Sequence, residues 1–572
     1  MEKLTGRPVS PGYAKGTAFL YDFGGSIEIP RYQIGQDAVD SEIDRFHQAL
    51  ERSRSELKQL ERRVLSDLGE TYSSIFSAHL TLLHDRQFTE QVQQRVRGDL
   101  VNVEQALAAQ VADLAHLLGA LENEYLKERA QDIRDLGNRL IRQLVSSDFQ
   151  RYVRLPPGSV IVARELLPSD TIDIDRDDVV GIVTEKGGEN SHAAILARAL
   201  GIPAVTGVPH ATTRITPGLQ VLIDGKSGCV TLAPTDTASA DLGILRSDYD
   251  AAGVAALDAE GLECVTLDGV RVSLLANLNR VDELAQVAAH HLDGVGLFRT
   301  EFLYMDSPEA PTYERQLDVY QHLLDGLNGQ QLVVRTLDLG GDKVPMFLIS
   351  HHEANPKLGS RGLRFSLAHP ELFTPQLRAL LTASANGDLR ILFPLVLGES
   401  DLAGACQHVE RLADEMNLDK APRLGAMIET PAALFSLKEV LQQVDFVSIG
   451  TNDLTQLMLA ADRDAAELTD DYSVRHPSVL RAIRHVVEAC DEAGRECCVC
   501  GESAGDVGTA CLLVGLGIRQ LSMSPVRAAR VRCSIRSVRH SELVALAEDA
   551  LCADGRATGD SQFACLRRSI SG

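Results

Sequence analysis

One imidazole stands at the centre of Gly187-Gly-Glu-Asn-Ser-His-Ala-Ala-Ile-Leu-Ala-Arg198. Val179-Val-Gly-Ile-Val-Thr184 before it reads as a buried strand, and the two glycines permit a tight turn. An alanine-rich helix is expected from His192 to about Leu200, ended by Gly201-Ile-Pro203. A helix N-terminus carries unpaired N–H groups and partial positive charge, which suit a phosphate. His192 held there is placed to carry a phosphoryl group covalently.

A second set of reactive residues lies downstream. It comprises Arg299-Thr-Glu301, Arg335-Thr-Leu-Asp338, Glu429, Gly450-Thr-Asn-Asp453, Arg463 and Cys500-Gly-Glu502. Arginines offer forked donors for phosphate and carboxylate oxygens. Glu429 and Asp453 are hard oxygen ligands of the kind Mg²⁺ takes alongside substrate and water. Asn452 adds an amide, and Cys500 in an electropositive mouth can serve as acid or base. Together they describe a site for a small, highly anionic phosphorylated acid bound with a divalent metal.

What must position these groups is legible as a run of strands. Val270–Leu275, Gly294–Phe298, Gln331–Val334, Arg390–Phe393, Leu424–Ile428, Asp445–Ile449, Glu496–Val499 and Arg519–Met523 alternate with helical stretches. Eight such units predict a closed (β/α)8 TIM-like barrel, whose chemistry belongs at the C-terminal strand ends. Five of the eight strand ends carry the residues just named. The histidine segment sits among other short β-like runs, Val160-Ile-Val162, Ala204-Val205 and Val221-Leu-Ile223, which predict a compact α/β unit that an N-terminal strand completes.

Between these pieces the pattern is helical. Val39, Ile43, Phe46, Leu50, Leu57, Leu60 and Val64 repeat at four- and three-residue steps, broken at Ser53. A second apolar helix is read around Ile75, Phe76, Leu80 and Leu83, and a third, very long one from about Val103 to Val145. No proline lies between Pro30 and Pro156, as a bundle requires. The predicted fold is therefore α/β multidomain. An α/β phosphohistidine domain (1–23 plus 146–233) holds an inserted helical bundle (24–145). A linker (234–260) leads to the barrel (261–572). Because His192 and the arginines fall in different domains, the first must swivel.

Of 572 residues, 44% are hydrophobic and the net charge is −24. No apolar run approaches the ~20 residues of a membrane span, and the acidity argues against nucleic acid as a partner. The N-terminus lacks the apolar core of a signal peptide, so a cytoplasmic location is expected. Cys497, Cys498 and Cys500 lack the partners of a zinc knuckle. Strand alternation predicts Cys498 and Cys500 on one face and Cys497 on the other.

With these residues in view, the chain resembles the enzyme I family of the bacterial phosphoenolpyruvate:sugar phosphotransferase system. The resemblance rests on Gly187–Arg198, Gly296–Met305, Arg335–Lys343, Met427–Pro431, Ser448–Gln456, Val499–Glu502 and Leu521–Pro525. It implies that His192 is phosphorylated by phosphoenolpyruvate. Arg299, Arg335, Arg463 and the Asn452–Asp453 region would hold that substrate, Glu429 and Asp453 would bind Mg²⁺, and Cys500 would protonate the enolate to give pyruvate. The bundle would dock the histidine phosphocarrier protein HPr, and the barrel would form a homodimer. Ser360 and Ser503 depart from the family pattern, where tryptophan and methionine are usual, and are expected to alter packing at the barrel mouth. The alternatives are a regulatory, nitrogen-type branch with a different carrier and a dikinase-like enzyme. The dikinase needs an ATP-binding region, and the helical residues upstream of His192 lack a glycine-rich nucleotide loop.

Overall fold

In a computed structural model the chain divides into two compact units, Met1–Ala251 and Ala252–Gly572. The structure describes residues 2–21, 29–68, 83, 86–119, 124–145, 155–166, 178–188, 191, 193–194, 197–198, 201–235, 237–238, 243, 259, 261–305, 309–339, 347, 355, 358–418, 420–461 and 473–552. Most of the expected linker, and most of the helix around Ile75 to Leu83, lie outside the described residues. No helix among those described is long and apolar enough to cross a membrane.

The first unit holds an eight-stranded sheet. Its strands are β1 (Glu2–Thr5), β2 (Arg7–Ser10), β3 (Tyr13–Leu20), β4 (Ser159–Ala163), β5 (Val179–Thr184), β6 (Ala204–Thr206), β7 (Gln220–Asp224) and β8 (Cys229–Leu232), in the order β1-β8-β7-β3-β4-β5-β6-β2. Strands β3 to β6 run parallel, with Thr17 opposite Ser159. The N-terminal stretch supplies three strands, not the single one expected.

Strand β4 is buried along its whole length because both faces are covered. Val160 and Val162 pack with Val183 and Val205 on one side. Ile161 and Ala163 pack with Ile182, Ala193, Ala194 and Ala197 on the other. A two-sided sheet explains the uninterrupted Val/Ile run, which alternation would otherwise forbid.

Between β3 and β4 come the helices Val39–Leu68, Arg86–Asp99, Val103–Gly119 and Glu124–Val145. Val39, Ile43, Phe46, Leu50 and Leu57 form the expected seam; Ser53 is buried within it. The side chains of Leu60 and Val64 lie outside the described residues. Phe88, Val92 and Val96, at four-residue spacing, make a buried stripe that the sequence reading had not singled out. The single helix expected from Val103 to Val145 is corrected to two that lie side by side. A Cβ at Gly137 would come within 2.6 Å of Val111 Cγ2. In one straight helix at ~1.5 Å per residue these positions would be about 39 Å apart. The chain folds back because Leu107 and Val111 bury against Leu136 and Leu140.

The second unit is a closed all-parallel barrel. Its strands are β9 (Ser273–Leu278), β10 (Gly294–Arg299), β11 (Gln331–Arg335), β12 (Leu389–Phe393), β13 (Arg423–Ile428), β14 (Phe446–Ile449), β15 (Glu496–Val499) and β16 (Gln520–Met523). Closure is direct, with Leu521 of β16 opposite Leu274 of β9. Each of the eight strands matches one read from the sequence, the first shifted by three residues. Leu297, Val333, Leu392, Met427, Phe446 and Cys500 form one apolar cluster. A separate, larger core gathers outward strand residues such as Val295, Val334 and Ile391 with the surrounding helices.

Candidate active site

Two places carry the predicted chemistry, one in each unit. In the first, Gly187 has φ +114°, and a Cβ there would lie 2.8 Å from Ser191 Oγ. Only glycine accepts both the left-handed backbone and that approach. The Ser191 hydroxyl donates to Gly188 O at 2.8 Å and accepts from the Ala194 N–H at 3.4 Å. That is an N-cap arrangement opening the segment that buries Ala193, Ala194 and Ala197. His192 itself lies outside the described residues, as does Arg463.

In the second unit, residues from strand ends far apart in sequence form one ion-pair chain. Arg335, the last residue of β11, donates from Nη2 to Glu301 Oε1 at 2.8 Å and pairs through Nη1 with Asp338 Oδ2 at 3.1 Å. Asp338 accepts a forked pair from Arg361, Nε and Nη2, both at 3.1 Å. Arg361 forks again onto Asp453, at 2.8 and 3.1 Å. Glu301, Arg335, Asp338, Arg361 and Glu429 are each no more than 9% exposed. Charges this deep persist only when paired. Burial works against the charge on Arg335 and Arg361, but their carboxylate partners outweigh it and hold both above the usual arginine value.

Pairing is nevertheless incomplete. Arg335 Nε is buried and has no acceptor among the described residues. An orphan donor of this kind costs ~1–3 kcal/mol unless a ligand supplies the acceptor. Glu429 accepts the Leu395 N–H at 2.6 Å, but burial pushes its carboxyl up to about 8, and neighbouring Asp453 and Asp338 push the same way. Arg299 is held more loosely than Arg335, by Asn279 Oδ1 at 2.9 Å and Glu502 Oε1 at 3.4 Å.

Cys500 follows β15 and is 2% exposed. Its carbonyl accepts from Asn277 Nδ2 at 2.9 Å, and its Sγ lies 3.6 Å from Ile449 O. Burial pushes the thiol up to about 11; the Ser448 hydroxyl opposes this and Glu429 adds to it. The sulfur is thus protonated at neutral pH. Cys497 packs against the outer core whereas Cys500 belongs to the separate inner cluster, so the two lie on opposite faces, as strand alternation predicts. Asn452 and Asp453 occupy the first turn of the helix Thr451–Leu459.

The structure therefore gathers buried Arg335 and Glu429 and half-buried Asp453 into one cluster, with Cys500 and Arg299 close enough to share its field. Arg361, the central residue of the ion-pair chain, was missed as a site residue in the sequence. It follows no strand directly, and the only available signal was an arginine beside glycine in Gly359-Ser-Arg-Gly362.

A barrel with guanidinium groups at its C-terminal mouth, in one chain with a unit that carries a glycine-rich histidine segment, defines a class. Three family profiles match in order: "PEP-utilising enzyme, N-terminal" over residues 5–129, "PEP-utilising enzyme, mobile domain" over 155–228 and "PEP-utilising enzyme, PEP-binding domain" over 256–540. A protein named phosphoenolpyruvate-protein phosphotransferase from Listeria monocytogenes is 39% identical over 521 residues, covering 90% of this chain and 91% of the relative. Those of the same name from Haemophilus influenzae and Staphylococcus carnosus are 34% and 36% identical, each covering 96% of both chains. The chain belongs to the phosphoenolpyruvate-protein phosphotransferase family.

Proposed function

We propose that this enzyme takes the phosphoryl group of phosphoenolpyruvate onto His192 and passes it to a histidine of the carrier protein HPr, releasing pyruvate. The observation that carries this reading is the buried Arg335–Asp338–Arg361–Asp453 chain with an unanswered N–H on Arg335, next to a protonated thiol. Phosphoryl transfer asks for charge neutralisation and alignment more than covalent chemistry. Arg299, Arg335 and Arg463 hold the phosphate and carboxylate oxygens, and Asn452 donates to the same ligand. Neutral His192 attacks phosphorus in line. The departing enolate is strongly basic at carbon, and Cys500 supplies the proton that makes it pyruvate.

The donor set also fits a divalent cation. Four carboxylates, Glu301, Asp338, Glu429 and Asp453, accompany the two guanidiniums, and Glu429 retains its proton first because it is buried and then because Asp453 and Asp338 lie near it. Glu429 and Asp453 would hold Mg²⁺, which when bound would draw charge from the phosphoryl oxygens. Arg361 then serves to keep Asp453 in place.

Four parts share the work in this reading. Residues 1–23 with 146–233 carry the histidine, and 24–145 dock the carrier. The stretch 234–260 permits the histidine to reach the barrel mouth and leave it. The barrel, 261–572, binds phosphoenolpyruvate and forms a homodimer. The test is incubation with ³²P-labelled phosphoenolpyruvate and Mg²⁺, followed by mapping of acid-labile label and addition of HPr. Label at His192, absent in His192→Ala and discharged by HPr, is the expected outcome. Label elsewhere, or no pyruvate, overturns the proposal.

A further inference from the structure

Cys500 lies where two loops part company. Up to the end of the strands, β14 and β15 are laced together: Ile449 is opposite Val499, and the Cys500 N–H donates to Ile449 O at 3.1 Å. Beyond that point one chain enters the Asn452–Asp453 turn and the other the short turn Glu502–Gly505. A side-chain cross-link joins them: the hydroxyls of Thr451 and Ser503, 2.7 Å apart. Thr451 is 1% exposed and held from behind, its carbonyl accepting from Thr455 Oγ1 at 2.6 Å. Its Oγ1 is wedged so closely against Gly501 that a Cβ there would lie 1.7 Å away. Thr451 is therefore a rigid post. A second side-chain tie on this turn, Glu502 to Arg299, is long at 3.4 Å and solvent-facing.

We propose that the Ser503–Thr451 hydroxyl pair is a positioning contact that sets Cys500 against the Asn452–Asp453 turn, so that the enolate is protonated on one face only. This rests on Cys500 as the proton donor. In that step the S–H bond breaks and a C–H bond forms at the methylene carbon of the enolate. The thiolate left behind recovers its proton from water. Ser503 touches no reacting atom. Its effect is geometric, and a displacement near 1 Å costs ~10²-fold in a positioned step.

The substrate analogue (Z)-phosphoenolbutyrate, turned over in D₂O, tests this. Its product carries deuterium at a carbon whose two faces are distinguishable, read by NMR after immediate reduction of the ketone. Ser503→Ala is expected to lower facial selectivity about tenfold while KM and label transfer to His192 move about twofold or less. Ser503→Thr, which keeps the hydroxyl, is expected to restore selectivity. Thr451→Val breaks the same bond and should give the same loss, and the double variant no more than either single one. Wild-type selectivity in Ser503→Ala, with selectivity lost in Cys500→Ala, overturns the positioning role alone. Selectivity retained in Cys500→Ala rejects the thiol as donor and removes the premise by a separate result.

Discussion

The barrel has an arginine–carboxylate cluster at each end, and the two behave oppositely. At the N-terminal end, Arg390 of β12 pairs with Asp388 at 2.7 Å and with Glu496 at 3.0 Å. Arg423 of β13 reaches Glu496 at 2.8 Å and stacks 5.9 Å from the Phe446 ring. Two guanidiniums meet two carboxylates there. The Arg390 hydrogen bonds hold Asp388 below its usual range. Burial raises Glu496, but Arg423 and Arg390 outweigh it and bring it low as well. At the mouth, carboxylates outnumber arginines and sit deeper, and Glu429 rises to about 8. The first cluster is balanced in charge, whereas the second carries an excess of carboxylates. Arginine and carboxylate content alone does not separate the two.

That contrast can be broken most severely at the arginines. Arg335→Ala is expected to lower phosphoenolpyruvate-dependent labelling by about 10³-fold, because a buried donor to developing charge is lost. Arg390→Ala should leave labelling within about threefold and instead lower stability by ~1–3 kcal/mol in urea melts. Equal loss of activity in folded Arg390→Ala would erase the distinction.

The next largest effect concerns pH. Glu429 in the metal-free protein titrates near 8 against an ordinary 4.5, so the native state holds a proton that the unfolded state releases. Its contribution to stability is present below the ordinary value and is lost as pH rises towards 8. Glu429→Gln should flatten that part of a melting-temperature profile taken with EDTA, and should weaken the Mg²⁺ requirement of labelling. Glu496 has the reverse sign: its stabilisation is present at neutral pH and is lost as pH falls through its lowered value. Glu496→Gln should remove at most about 1 kcal/mol at pH 7, since the pairs are partly solvated, and that deficit should shrink in acid. The smallest signal is chemical. Cys500, buried and pushed up to about 11, should resist iodoacetamide at pH 8 in the native protein while exposed Cys552 reacts. Peptide mass mapping reads both.

Much of this architecture was legible before folding. Local apolar runs such as Gln331–Val334 and Leu424–Ile428 announce strands because β-branched and aliphatic residues suit a covered sheet. Glycine or arginine then marks the end of several strands, as at Arg299, Arg335 and Gly450. That Val103–Gly119 and Glu124–Val145 are two helices lying side by side was not legible, because the amphipathic stripe of one resumes in the next without a change of period. Arg361 was invisible for another reason: its partners Asp338 and Asp453 are 23 and 92 residues away.

Residue order by itself determined the eight strands, the chemical groups at their ends and the glycine-rich turn before His192, since each depends on neighbours within a few positions. Only the tertiary structure decided which arginine faces which carboxylate, that Arg361 links two of them, and that Glu429 and Cys500 keep their protons. Coulomb attraction and desolvation depend on distance through space and on depth from water, and both are set once the barrel has closed.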